Sequence, residues 1–541
     1  MKNISAQTKA LIELLNPPVG FWERLTGRHE DAGLLSQVGA SGDAAAIIDI
    51  TPFVLSERRE VARAAAAAVE SLLAGINPAE LLQLDLIFRK RSPYNGRYGM
   101  KWHQLKPSDL KKLESVCNDS VTVLGMASFH KSGHIREAAI KRLDRTSSGK
   151  ELPYLLIRLN DWVPNVREAA QQAINSRINA RHAGSFMASL LLLARLKQAG
   201  RSDHRQLIET IETLLKSAES REALLGGLNS PDRLNRRMSF SLAINATGID
   251  QSSVMARALS DQDSVIRLWA ARKIAVEFED TNLERFLLLM KGDRFMPVRR
   301  EALRAFINRL PERAPGELRR ALLDSHVSMR EEARYHLQKT GGIDLASFYR
   351  QALVNPNEGL LSSAVSGMGE TGPASDDSLL LPYIHHKSAK VRRAAIRGLS
   401  RLNGSQHLYT FITLLSDEAP GVSREAKRAL TARINAVGGE SLWAIFNSSP
   451  HRHVRRNALH LFAQLGKWDG IYYLIKAVGD ADDAMAGASQ HYIERWMAQF
   501  NHRFTAPTVG QLARLKRALE EYGGMLDENI REGLWFSMKG F

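Results

Sequence analysis

The chain is 541 residues long, more than one compact core organises, so the sequence predicts several domains or an array of repeats. Its 74 Lys and Arg against 58 Asp and Glu leave a surplus of +16; the 44% apolar content and sparse Pro and Gly exclude a disordered or collagenous chain. The single cysteine, Cys117, excludes an intramolecular disulfide framework and a cysteine-built zinc site. In chain order, residues 1–33, beginning MKNISAQTKALIELLNPPVGFWERL, lack the unbroken apolar core of a signal peptide and predict N-terminal capping helices. Residues 34–86 predict the first helical repeats. Residues 87–120 predict a basic and aromatic insertion, 121–498 the main repeat array and 499–541 C-terminal capping helices. The apolar runs, such as SLLLLA at Leu190, are far too short to cross a bilayer, so a cytoplasmic protein without membrane contact is expected.

The charge is concentrated. Residues 87–112 hold eight Lys/Arg against one Asp, and 381–470 hold fourteen against five Asp/Glu. Those local surpluses, +7 and +9, together equal the whole net charge, and a local positive potential favours acidic partners.

A period near 31 residues dominates the sequence. A branched or long apolar residue opens an alanine-rich helix at Val61, Ile135, Val166, Leu234, Ile266, Val298, Met329, Leu360, Val391, Val422, Val454 and Met485. From Leu234 onward the steps are 32, 32, 31, 31, 31, 31, 32 and 31. A turn-forming polar residue such as Asp161, Asp293 or Asp417 stands five places before the anchor, and proline often follows it, as Pro164, Pro297 and Pro420 do. Another apolar-periodic stretch precedes each turn, for example LYTFITLL. Each unit therefore reads as two antiparallel helices that bury their apolar faces only by stacking on neighbours. The expected fold class is all-α, an α-α superhelical solenoid of stacked helix pairs.

DWVPNVREAAQQAI and DRFMPVRREALRAF match the Asp, Val-Arg and Ala pattern of HEAT repeats, and LSQVGASGDAAAIIDITPFV matches their Gly-rich entry. Over about residues 34–86 and 121–498 the chain resembles that family, particularly the short bacterial type of the phycobilin lyases. The resemblance implies a ladder in which the turn Asp and the Arg after the anchor contact each other along the stack. Ala62, Asn235 and Ser423 depart from the Arg position, and His130, His386 and Ser449 from the Asp position. It further implies that the second helix of each pair lines a concave surface.

Helical geometry separates adjacent arginines. At about 100° per residue the buried stripe centres about 40° from the anchor, and the residue after the anchor flanks it at about 100°. Arg167, Arg267, Arg299, Arg330, Arg392 and Arg455 hold that flanking position and are assigned to the fold. The second and sixth positions fall at about 200° and 240°, away from the core. They carry Arg393, Arg397, Arg424, Arg428, Arg456 and His460 in three consecutive units, with Arg300 and Arg304 further upstream. This basic stripe is the first candidate site, expected without a compensating acid, so that reversing Arg393, Arg397, Arg424 and Arg428 to Glu should leave the fold intact. The second is the insertion, where Arg89, Lys90, Arg91, Arg97 and Lys101 interleave with Tyr94, Tyr98 and Trp102. Aromatics among cations stack bases or anchor a protein partner, or else pin a long loop to the repeats.

Signals for chemistry are weak. No phosphate-cradling glycine motif occurs, and HKSGH and HRH (His451, His453) have loose ligand spacing with no third partner, so neither a metal nor a cofactor is expected. Lyases and DNA glycosylases built from HEAT-like repeats exist, but none of their functional residues maps onto this chain. The expectation is a non-catalytic scaffold for an acidic protein partner. The alternative is a nucleic-acid-binding protein using the same cations.

Overall fold

The computed structural model describes residues 4–15, 30–90, 94–95, 100–117, 119–341, 343–354, 356–502, 505–539 and 541. These form helices, their turns and one short antiparallel hairpin pairing Tyr94 with Lys101 and Asn95 with Met100. The fold is an all-α solenoid of stacked helix pairs, in two compact units, residues 1–274 and 275–541.

In the first unit, helix Glu30–Ala40 packs on Arg59–Ala74. A Cβ on Gly39 would stand 2.7 Å from Ala68 Cα, so small residues on both helices permit the approach. Helix α1, Leu81–Lys90, carries helical structure into the expected insertion. Asn77 and Glu80 precede it as a reciprocal cap, which satisfies backbone N–H groups the helix cannot. Helix α2, Leu152–Arg158, packs on α1 and also on α3, Leu190–Leu196.

The second unit carries helices α4, Met296–Arg309; α5, Leu361–Thr371; α6, Ala389–Asn403; α7, Pro420–Thr431; and α8, Arg452–Phe462. Each is the second member of a pair, and α5 to α8 pack side by side in order. Glycine sets the closest of these contacts: a Cβ on Gly369 of α5 would lie 2.2 Å from Gly398 Cα of α6. Helices Val509–Tyr522 and Glu528–Met538 follow the last repeat. There Trp468 donates to the Thr505 carbonyl at 2.6 Å and Trp496 to that of Lys467 at 2.9 Å, so the buried Trp468 and the half-buried Trp496 both have their N–H satisfied.

Ten of the twelve anchors are buried. Leu234 and Leu360 are 43% and 40% exposed, which corrects the register of two repeats by one residue. Helix capping is the cause. Asp232 accepts the N–H groups of Leu234 and Asn235, both at 2.8 Å, and the helix rotates so that Asn235 enters the core. In the other repeat Leu360 is itself the N-cap and Leu361 is the buried anchor. Arg236 thereby moves into the flanking position that Asn235 was expected to leave empty.

The ladder is built from that position. Arg136 meets Asp161 at 2.8 and 2.6 Å, Arg236 meets Asp261 at 3.1 and 3.2 Å, Arg299 meets Asp324 at 2.8 and 2.7 Å, and Arg392 meets Asp417 with both contacts at 2.8 Å. Arg455 pairs with Asp480 through one contact at the equivalent position. Each aspartate also accepts the N–H two residues on, as Asp417 does from Ala419 at 2.9 Å. The remaining guanidinium nitrogen donates to a carbonyl of the arginine's own turn, such as Arg392 to His386 at 2.9 Å. One arginine thus staples two successive turns. Arg330 instead reaches Glu370 on α5, which also receives Arg334 at 2.7 Å.

Candidate functional site

The stripe positions lie on α6, α7 and α8. Arg393 and Arg397 of α6 are partly exposed, and Arg424 and Arg428 of α7 and Arg456 of α8 are exposed. The expectation that no acid accompanies them is corrected by Glu425, only 7% exposed, which forms an ion pair with Arg397 at 3.0 Å and has Arg393 and Arg428 at 3.9 Å. Glu425 follows Arg424 on α7, three residues from the anchor, at about 300° around the helix. It therefore faces the preceding helix, which reading one helix at a time does not reveal. Reversing Arg393, Arg397 and Arg428 would surround this nearly buried carboxylate with like charge, so the expected neutrality of the four-fold reversal is corrected too.

The outer cations remain without an acid. Among the described residues, no carboxylate comes within ion-pair distance of Arg424 or Arg456. Between the arginines of α7, the Lys427 ammonium is held below its ordinary value by burial and then by repulsion from Arg424 and Arg428. His460 is half-buried, bonded to Gln464 at 2.7 Å and to the Tyr492 hydroxyl at 3.3 Å. Burial, then Lys427 and Arg495, hold its imidazole toward the neutral form, so it adds hydrogen bonding and little charge. Upstream on α4, Arg304 is paired with Glu332 at 2.6 Å, and Arg300 is half-buried with its Nε lacking an acceptor among the described residues. The structure thus gathers Arg393, Arg397, Arg424, Arg428 and Arg456 across three packed helices, with Arg304 neutralised locally.

The insertion divides differently. Trp102 is 2% exposed, packed edge-on to Phe88 at 6.3 Å and beside His130, whose Nε2 lies 3.0 Å from the Trp102 carbonyl. Burial removes it from reach of a partner and corrects its assignment as a binding aromatic; it pins the segment to the repeats. Arg89 is half-buried and bonds Asp85 and Asp161, both at 3.1 Å, which places it in the fold's ion network. Lys90 is exposed. Tyr94 and Lys101 lie in the hairpin, and Arg91, Arg97 and Tyr98 fall outside the described residues.

Asp161 is the centre of that network. It accepts from Arg136, from Arg158 at 2.9 Å and from Arg89, and caps the Val163 N–H at 3.0 Å. Burial alone would raise its carboxyl. The Arg136 hydrogen bonds, the Val163 N–H and the Arg158 charge outweigh burial and hold it well below the usual carboxylate range.

Catalytic geometry is sparse. Among the described residues no group of three potential metal ligands converges. His453 Nε2 is 3.0 Å from the Asp417 carbonyl, and burial followed by the charges of Asp119 and Glu70 pushes the Cys117 thiol up to about 11, away from its nucleophilic form. Among the described residues no helix is long and apolar enough to cross a membrane.

No family model matches the sequence, and no curated protein does. Among solved structures the chain is similar to importin beta, at 11% identity over 98% of this chain and 81% of that one, with a TM-score of 0.31. It is similar also to a TOG-domain array of a microtubule polymerase, at 12% identity over 77% and 99%, TM-score 0.25, and to a chain of the Kap95:Nup1 complex, at 12% over 99% and 67%, TM-score 0.28. The all-α solenoid of stacked helix pairs is read from the chain's own helices, buried anchors and arginine ladder.

Proposed function

We propose that this chain is a non-catalytic scaffold that holds an acidic protein partner on the arginine-rich face of α6, α7 and α8. The observation that carries the reading is the charge balance of that face: five arginines, of which Arg424 and Arg456 have no carboxylate within ion-pair distance among the described residues, around the single Glu425. Ladder arginines are occupied by turn carboxylates and carbonyls, so the free positive potential resides in the outer stripe. A carboxylate inside the stripe suits a protein surface of mixed charge better than a continuous phosphate backbone. The buried Trp102 also removes one base-stacking aromatic from the nucleic-acid alternative.

The test reverses only the two unpaired cations, Arg424→Glu with Arg456→Glu, and measures binding of a polyglutamate peptide and of a DNA duplex. The expected result is an unchanged helical signal and a loss of about tenfold or more in peptide affinity. Tighter duplex binding, with a salt slope near 0.9 per phosphate contacted, would favour the nucleic-acid alternative. Equal peptide binding by the variant and the parent would make the stripe an ordinary solvated face.

A further inference from the structure

In the first unit, α1, α2 and α3 line an open cleft of about 410 Å³, remote in sequence from the arginine stripe. Its walls are apolar. Leu192 and Leu196 of α3 are buried, while Leu86 and Trp162 stand at 59% and 69% exposure. Two large exposed apolar side chains lining one cleft differ from the singly scattered ones normal on a surface.

The polar side of the cleft is cationic. Arg89, Arg158, Arg195 and Arg201 line it against one carboxylate, Asp85. Beneath the floor Arg89, Arg136 and Arg158 share Asp85 and Asp161, so three guanidinium charges meet two carboxylates. Arg158 is only 1% exposed, and its Nε–H has no acceptor among the described residues. A buried donor on a cation, in a network one negative charge short, is costly unless an anion or water completes it. Nearer the mouth, the Arg201 guanidinium stacks 3.9 Å above the Trp162 ring and donates to the Asn160 carbonyl at 3.1 Å, while Arg195 donates to the Ala79 carbonyl at 3.4 Å. Neither Arg195 nor Arg201 meets a carboxylate within ion-pair distance among the described residues.

We infer that this cleft is a docking site for a short peptide segment of a partner protein in which a large apolar side chain neighbours a carboxylate. The apolar group would enter between Leu86, Trp162 and the α3 leucines, and the carboxylate would meet the cationic side formed by Arg158, Arg195 and Arg201. Charge complementarity selects this occupant: an uncharged apolar segment leaves the arginines unanswered, and a polyanion without apolar groups leaves Leu86 and Trp162 in water. The inference is independent of the stripe.

The experiment uses the full chain and fluorescence anisotropy of a labelled eight-residue peptide alternating Leu or Phe with Asp or Glu. Control peptides carry Asn and Gln in place of the acids, or Ser in place of the apolar residues. A single-stranded oligonucleotide serves as the polyanion control. The expected result is binding of the acidic–apolar peptide, at least about tenfold weaker for either control peptide. Leu86→Ser with Trp162→Ser, and separately Arg195→Glu with Arg201→Glu, should each weaken it by a similar factor. All four side chains are exposed, so circular dichroism should report an unaltered fold. Arg424→Glu with Arg456→Glu should leave this binding unchanged, which separates failure of the cleft from failure of the stripe. Absence of peptide binding at ~1 mM, equal binding of the amide control, indifference to both paired variants, or preference for the oligonucleotide would each overturn the inference.

Discussion

Asp161→Asn removes one negative charge from the most densely shared carboxylate described in the first unit while keeping the side chain's shape. The aspartate has 0% side-chain exposure and faces Arg136 and Arg158, at 4% and 1%, as well as the partly buried Arg89. Asparagine can still accept the Val163 N–H, so the turn that leads into Pro164–Asn175 is retained and the perturbation is electrostatic. Arg89 and Arg158 would then keep only Asp85 and Arg136 would keep no carboxylate, and removing one partner from a buried pair costs about 3–5 kcal/mol because the charges left behind cannot rehydrate. Chemical denaturation at pH 7 should show that loss. Hydrogen exchange should localise it to Gly133–Leu143, Leu152–Arg158 and Pro164–Asn175. The pH dependence follows from the depressed carboxyl. Its stabilisation is complete above the unfolded value, roughly 3.9, and fades as pH falls toward the folded value. The gap between parent and variant should hold from pH 7 to about 4 and narrow below. A loss under about 1 kcal/mol, or a gap that widens on acidification, would refute the assignment of Asp161 as the network's centre.

Gly369→Ala should cost about 1–3 kcal/mol in thermal or chemical unfolding, since its methyl would meet backbone of α6 at 2.2 Å, and Gly487→Ala, with nothing within 4 Å, should gain up to about 1 kcal/mol. Trp102→Ala should cost about 3–5 kcal/mol and leave polyglutamate affinity per folded molecule unchanged; a selective loss of binding would restore it to a partner-facing role.

The repeat period was legible because successive units place an apolar residue at the same turn of the same helix, and ten anchors are buried where the spacing puts them. The two misplaced anchors share a cause that periodicity does not encode. Asp232 and Leu360 set where their helices begin, and one residue of delay turns the helix by about 100°. The outward direction of Arg424 and Arg456 was readable from one helix alone. Glu425 was not, since its partners Arg393 and Arg397 belong to the preceding repeat and only stacking brings them together. Trp102 misled for a related reason: aromatics among cations look the same in sequence whether they face a partner or close over Phe88 and His130. The cleft of Leu86, Trp162 and Arg201 had no local signature, because its walls come from segments separated by the irregular stretch of the array.

The ladder's gaps follow a rule of their own. Where the flanking arginine is absent, at Ser362 and Ser423, the turn of the next repeat lacks its aspartate and carries His386 and Ser449. Both replacements keep the turn's local bond: His386 accepts the Ser388 N–H at 3.1 Å and Ser449 that of His451 at 3.3 Å. What disappears is only the charge pair, and it disappears from both ends. The physical reason is the position of the rung, whose Arg392 and Asp417 side chains are 11% and 10% exposed, so half a rung strands a poorly solvated charge. Arg392→Ser and Asp417→Ser should therefore each destabilise the second unit, while the double variant, which recreates the composition at Ser423 and Ser449, should cost less than the sum. Measured as a double-mutant cycle by urea unfolding, the coupling should reach at least about 1.5 kcal/mol, within the range for residues sharing an ion pair. Additivity within about 0.5 kcal/mol would mean that Arg392 and Asp417 act on the fold separately, Arg392 through the His386 carbonyl and Asp417 through the Ala419 N–H, and that the paired gaps have another origin.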